Sequence, residues 1–240
     1  MLKYEELKRN AKRLLALTGL TVAEFEKLLP AFARVYERTY PSNKTVEGQP
    51  RQRQAGGGRR SELKSNEQKL LLVLVYQKAY PLQELIGATF ELSQPQINYW
   101  LHRLLPIVKD ALDEIGLLPE REPSKFGQHE RSKGNSAELI IDGVDRRRQR
   151  PKKAEKQKLH YSGKKKTHSD KNVVIVNAKT KRIGYLSATY AGKVHDKKIA
   201  EQEKISYPRK TTLYKDTGFQ GYEPRTVKTL QPKKSPVKEN

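Results

Sequence analysis

Cysteine is absent from all 240 residues, which excludes disulfides, thiolate metal sites and a cysteine nucleophile and suits a reducing cytosol. Long apolar runs are missing too. The longest, Leu70 to Tyr76, falls far short of the roughly 20 residues that a membrane span requires. The N-terminus, Met1-Leu2-Lys3-Tyr4-Glu5-Glu6, is charged and lacks the apolar centre of a signal peptide. These absences predict a soluble intracellular protein. Acidic residues are scarce beside basic ones, 27 Asp and Glu against 49 Lys and Arg, for a formal charge of +22. Such an excess points to a polyanionic partner, and nucleic acid fits better than a membrane surface because no long basic amphipathic helix dominates. A nucleotide-hydrolysing phosphate loop is missing as well. Gly56-Gly57-Gly58-Arg59-Arg60 lacks the Lys-Ser/Thr ending, and Gly163-Lys164-Lys165-Lys166-Thr167 lacks the upstream glycine.

What is present divides in two. Residues 1–120 read helical. Val22, Phe25, Leu28, Leu29, Phe32, Val35 and Tyr36 recur at helical spacing over Thr21 to Arg38, with Pro30 expected to kink or divide the element. Pro41 to Arg60, polar and glycine-rich, reads as a mobile connector. Ser65-x-x-Gln68 forms a capping-box pattern ahead of a buried helix through Leu70, Leu71, Leu74 and Val75. A short helix at Leu82–Ile86, a turn over Gly87–Ser93 and a second helix from Gln94 predict a helix-turn-helix at about 82–105. In that reading Ser93 is the N-cap, and Gln94, Gln96, Asn98 and Arg103 are free for phosphates or base edges. A plain helical hairpin gives the same pattern.

Residues 121–136, rich in charge, Gly, Ser and Pro, read as a linker. From 137 to 240 the period changes. Glu138–Asp142, Asn172–Asn177, Arg182–Tyr190 and Thr211–Tyr214 are strand-like, and His195 to Ile205 reads as a helix. Strand, strand, strand, helix, strand is the opening order of a ribonuclease-H-like fold, in which the first and fourth strands are neighbours. The expected class is therefore a helical helix-turn-helix domain followed by an incomplete ribonuclease-H-like α/β domain.

Three carboxylates stand out. Asp142 ends the run Leu139-Ile140-Ile141, Asp196 follows Gly192-Lys193-Val194-His195, and Asp216 opens Asp216-Thr217-Gly218-Phe219. Carboxylates ending adjacent strands suit a pair of Mg²⁺ ions, which prefer oxygen ligands and serve phosphoryl transfer. Asp196, at a helix start, reads equally as an N-cap or as a metal ligand. Asp145 reads as a partner of Arg146, Arg147 and Arg148, and His195 as structural. The stretch from Arg146 to Lys171, including Arg148, Arg150, Lys164, Lys165 and Lys166, is expected to neutralise DNA phosphates beside the acids.

Taken in order, Ile140-Ile141-Asp142-Gly143, Arg148-Gln149-Arg150-Pro151, Tyr161-Ser162-Gly163-Lys164-Lys165-Lys166-Thr167-His168, Gly192-x-Val194-His195-Asp196 and Asp216-Thr217-Gly218-Phe219-Gln220-Gly221 resemble the bacterial insertion-sequence DDE transposases of Harbinger-like type, the insertion-sequence family five group. The resemblance covers nearly the whole chain. It implies metal-dependent strand cleavage at element ends and transfer of the freed 3′-hydroxyl to target DNA. Mg²⁺, with Mn²⁺ as a substitute, would be held by Asp142, Asp196 and Asp216, with Asp142 and Asp216 catalytic. Implied partners are double-stranded terminal repeats, target DNA and further copies of the chain on that DNA, in a bacterial cytoplasm at the nucleoid. Family members continue past Pro232-Lys233-Lys234 into a helix bearing a catalytic glutamate. Neither Glu223 nor Glu239 fills that place, so the resemblance also predicts a C-terminally truncated form. The alternative is an inactive product that regulates transposition by binding DNA.

Overall fold

A computed structural model of the chain describes residues 1–45, 48–51, 63–131 and 137–232. Gly56-Gly57-Gly58 in the expected connector, residues 132–136 of the expected linker, and everything from Lys233 onward, including Glu239, lie outside the described residues. The chain divides into two compact units, Met1–Leu117 and Leu118–Asn240, each with its own apolar core. No described helix is long and apolar enough to cross a membrane.

The first unit is helical: α1 Tyr4–Lys8, α2 Ala11–Thr18, α3 Val22–Thr39, α4 Asn66–Ala79, α5 Gln83–Phe90 and α6 Gln94–Glu114. Helix α3 starts on a capping box, with Glu24 N–H donating to Thr21 Oγ1 (3.3 Å) and Thr21 N–H donating to Glu24 Oε2 (2.8 Å). Pro30 does not divide it. Its ring sits on the solvent side, while Phe25, Leu28, Ala31, Phe32 and Val35 carry one buried stripe across the break in hydrogen bonding. Helix α4 is buried continuously from Lys69 to Val75, as a helix apolar on nearly every side must be. Its capping box is half formed. Gln68 N–H donates to Ser65 Oγ (3.3 Å), but Gln68 Oε1 has no partner among the described residues.

Helix α5 runs four residues beyond its expected end, and the turn is only Glu91–Ser93. Gly87 is there for space rather than as a breaker. A Cβ on it would stand 2.5 Å from the Leu92 carbonyl oxygen, so only glycine lets the turn fold back onto the helix. Ile86, Phe90, Leu92, Ile97 and Leu101 are buried where α5 and α6 meet.

The second unit is built on a mixed sheet: β1 Glu138–Arg147, β2 Tyr161–Ser162, β3 Thr167–Asn177, β4 Ile183–Leu186, β5 Tyr190–Ala191, β6 Thr211–Lys215 and β7 Val227–Leu230, with helices α7 Phe126–Arg131, α8 Ala154–His160 and α9 Asp196–Glu203. The main path is β2-β3-β1-β6-β7, and β4 and β5 also pair with β3. Strands β1 and β3 are antiparallel, whereas β1–β6 and β6–β7 are parallel. The expected adjacency of the first strand to Thr211–Tyr214 is present, with Ile140 opposite Tyr214. Leu139, Ile141, Val173, Ile175 and Leu213 bury one face against Ile199 and Ala200 of α9.

Residues read as the start of a linker are integrated here. Glu120 N–H donates to Gly184 O (2.8 Å), Leu186 N–H donates to Glu120 O (3.0 Å), and Phe126 is buried against Tyr185 and Tyr207. The basic stretch is not a simple loop either. Strand β1 continues to Arg147 and β3 begins at Thr167, so Arg146, Arg147 and Lys171 lie on a paired ribbon, and Lys156 and Lys158 lie on α8.

Candidate metal and DNA site

Parallel pairing sets the geometry. Ile141 lies opposite Lys215 in the last pair of the β1–β6 ladder, so Asp142, within β1, and Asp216, just past β6, come next to each other on neighbouring stretches of chain. Both line one cleft of about 570 Å³ with Ile140, Tyr214 and Leu230. Each carboxylate is oriented by a nearby main-chain donor. Gly143 N–H donates to Asp142 Oδ1 (2.7 Å), and Gly218 N–H donates to Asp216 Oδ1 (2.9 Å). Neither acid has a cationic partner among the described residues, despite the surplus of lysine and arginine. Two exposed carboxylates with one oxygen each uncommitted are hard donors of the kind a divalent cation takes.

Asp196 comes from α9 on the Gly143 side of β1, close to Gly218 but outside the cleft that Asp142 and Asp216 line. It is not the helix cap. His195 holds that position in extended conformation without a side-chain bond, and Asp196 is the first helical residue. Its carboxylate packs on Gly143, where a Cβ would stand 2.6 Å from Asp196 Cγ. A Cβ on Gly218 would stand 3.0 Å from Asp216 Oδ1 and 3.7 Å from Asp196 Oδ2, so these two acids face each other across that glycine. Asp196 Oδ1, however, accepts from Lys171 Nζ at 3.0 Å. Among the described residues no three His, Asp or Glu side chains form a ready-made metal cluster.

The basic residues separate into held and free. Arg148 donates to Asp170 Oδ1 (2.9 Å) beside His160, Arg150 to Gln157 Oε1 (2.9 Å), and Arg146 to Asn172 Oδ1 (2.9 Å). Asp145 does not pair with the arginines. Strand alternation turns it to Ser169, whose hydroxyl donates to Asp145 Oδ1 (3.2 Å). Lys164, Lys165 and Lys166 are exposed on the turn joining β2 to β3, without ion-pair partners among the described residues.

In the first unit, Gln94 is exposed at the start of α6 and donates to Gln83 Oε1 (2.6 Å). Gln96 is committed to capping, its Oε1 accepting from Ser93 N–H (2.8 Å). Asn98 is half-buried. Arg103 is not free for DNA. Its guanidinium lies 3.6 Å from the centre of the Tyr40 ring, where cation–π attraction and burial hold it within the unit. Tyr99 and His102 are the exposed residues that the sequence reading missed. With Asn98 they share a helical spacing of three and four, a signal that was available.

Residues 61–114 match the helix-turn-helix of DDE superfamily endonuclease, and residues 141–240 match the DDE superfamily endonuclease. A probable transposase for insertion sequence element IS702 from Microchaete diplosiphon is 27% identical over 166 residues, covering 68% of this chain and 55% of the relative. The chain thus spans about half the length of that relative. No solved structure matches.

Proposed function

We propose, from the premise that this is a transposase-like DDE endonuclease chain with a helix-turn-helix, that it binds the ends of an insertion element and carries the carboxylates for metal-dependent strand cleavage and transfer. One observation carries the reading. The register of β1 on β6 brings Asp142 and Asp216 next to each other, and neither is neutralised by a neighbouring cation among the described residues of a chain of charge +22. The mixed sheet, with β1 between antiparallel β3 and parallel β6, supports a ribonuclease-H-like reading of the second unit.

Asp142 and Asp216 would hold Mg²⁺ or Mn²⁺ through their uncommitted oxygens. When bound, such a cation activates an attacking oxygen and stabilises a leaving one in phosphoryl transfer. Gly143 and Gly218 N–H groups fix the direction of the two carboxylates. Asp196, its charge balanced by Lys171, borders this pair as a neighbour and not as a third ligand. Lys164, Lys165 and Lys166 grip phosphates near the acids, and Arg148 and Arg150 stiffen that ribbon. The outward side of α6, with Gln94, Asn98, Tyr99 and His102, enters the major groove.

The test is Mn²⁺ binding to the full chain, followed by water-proton relaxation. Asp142→Asn and Asp216→Asn should each weaken binding about tenfold or more, since the amide keeps the shape and loses the charge. Unchanged binding in both variants refutes the assignment.

A further inference from the structure

Beside the cleft of Asp142 and Asp216 lies a second space, on the Asp196 side, with Lys164 in its wall. A hollow of about 250 Å³ runs from Asp196, Gly218 and Lys171 past Gly192 to Tyr161, Gly163 and Lys193. Those last three residues also line a larger pocket of about 750 Å³, together with Arg150, Lys158 and His168. The two hollows therefore form one path from Asp196 and Gly218 to an aromatic pocket. No carboxylate lines the larger pocket.

Its walls are prepared for a flat anionic ligand. Tyr161 is largely exposed in the short strand β2, yet its backbone is fixed by pairing with His168 of β3, and the two rings meet edge to face at 5.6 Å. An aromatic ring fixed in water beside three cations offers both a stacking surface and charge. Arg150 is placed in advance. Gln157 accepts from both its Nε (3.1 Å) and its Nη2 (2.9 Å), while Gln157 Nε2 donates to Pro151 O (2.8 Å). The guanidinium is thus held at the wall with donors to spare. A pocket of this size takes a small organic group rather than a helix or a duplex.

We propose that this pocket receives a single unpaired nucleotide of the bound DNA, its base stacked on Tyr161 and its phosphate met by Arg150, Lys158 or Lys193. A paired base cannot enter, because its faces are covered by its neighbours in the stack. The path to Asp196 and Gly218 places the unpaired nucleotide on the strand that passes the acids. The site thus selects DNA that is open or frayed next to the phosphate to be cut. This inference rests on the DNA-binding reading above and adds a specificity that duplex gripping does not supply.

The experiment compares binding of the full chain to a blunt duplex and to the same duplex with a short single-stranded 3′ extension carrying 2-aminopurine. The native chain should prefer the extended probe about tenfold, as expected for one base stacked on an aromatic side chain. The 2-aminopurine fluorescence should fall on binding. Tyr161→Ala should remove both the preference and the fluorescence change while leaving blunt-duplex affinity unaltered. Tyr161→Phe, which keeps the ring, should retain both. Equal affinity of the native chain for the two probes, or a preference that survives Tyr161→Ala, overturns the pocket assignment alone. Failure to bind either probe overturns the DNA-binding reading, and the pocket assignment with it.

Discussion

Gly143→Ala is the smallest change that tests the convergence of the acids. Strand geometry tolerates alanine at this position, since the glycine lies within β1 and is not among those with positive φ. The obstacle is Asp196. The new methyl would sit 2.6 Å from its Cγ and 2.8 and 2.9 Å from its oxygens, so the carboxylate must retreat by about 1 Å to reach ordinary contact. That retreat stretches the 3.0 Å bond to Lys171, whose side chain is only 12% exposed and cannot readily turn to solvent. Overpacking of this kind costs about 1–3 kcal/mol. Replacing a glycine within a strand returns roughly 0.5–1 kcal/mol. The expected net loss is about 1–2 kcal/mol, or roughly 4–8 °C in the melting of the second unit. Calorimetry reads this directly, and the fluorescence of Trp100, the chain's single tryptophan, reports the first unit as an internal control. The decisive measurement is the same substitution in an Asp196→Ala background. There the methyl meets no carboxylate, so Gly143→Ala should become neutral or stabilising by about 0.5 kcal/mol. An equal loss in both backgrounds, or none in either, refutes the placement of Asp196 on Gly143.

Two further outcomes are expected. Burial, followed by a hydrogen bond to Glu203 (2.6 Å) and the charge of that residue, pushes the Tyr190 phenol up to about 12, and Tyr185 is raised by the same causes. The neutral phenols favour the fold, so this contribution is whole below pH 10 and is lost as pH rises from 10 toward about 12. Melting of the second unit should fall across that window, and in Glu203→Gln the tyrosinate absorbance should develop at lower pH; an unchanged titration counts against the contact. In the first unit, His102→Ala and Asn98→Ala should reduce discrimination between element-end and unrelated duplexes, whereas Gln96→Ala should lower stability by about 1 kcal/mol through the lost cap. If Gln96→Ala alone alters discrimination, α6 is misassigned.

The parts legible in the sequence were those announced by local chemistry. Ser93 before Gln94-Pro95-Gln96 marks a helix start whatever surrounds it, and the apolar run Leu139-Ile140-Ile141 marks a strand, although that strand continues to Arg147 rather than ending at Asp142. The neighbouring of β1 and β6 follows from element order, whereas its register, Ile141 opposite Lys215, does not. What escaped the reading depended on contacts distant in sequence. Gly87 reads as a breaker until the Leu92 carbonyl is seen against it. Arg103 reads as a DNA contact until Tyr40 is found beneath it. Lys171 belongs by composition to the basic run, but strand alternation turns it from the phosphates toward Asp196. Glu120 and Phe126 sit in or beside a stretch whose Pro, Ser and Gly content resembles a connector, and three main-chain bonds and one buried ring show that it belongs to the second unit.

The strand order has a consequence for when the two carboxylates can meet. Asp142 and Asp216 touch the same cleft only because β6 docks beside β1 after residues 143–215 have made their excursion through β3 and α9. Closing so long a segment is among the slowest events in folding, since its entropy is spent before the contact rewards it. A slip of one residue in the β1–β6 ladder would also turn one acid to the opposite side of the sheet. The two carboxylates are therefore separate on a nascent or misregistered chain and meet only once the sheet between them is correctly formed. On the proposed function, completion of the fold is what assembles the metal site.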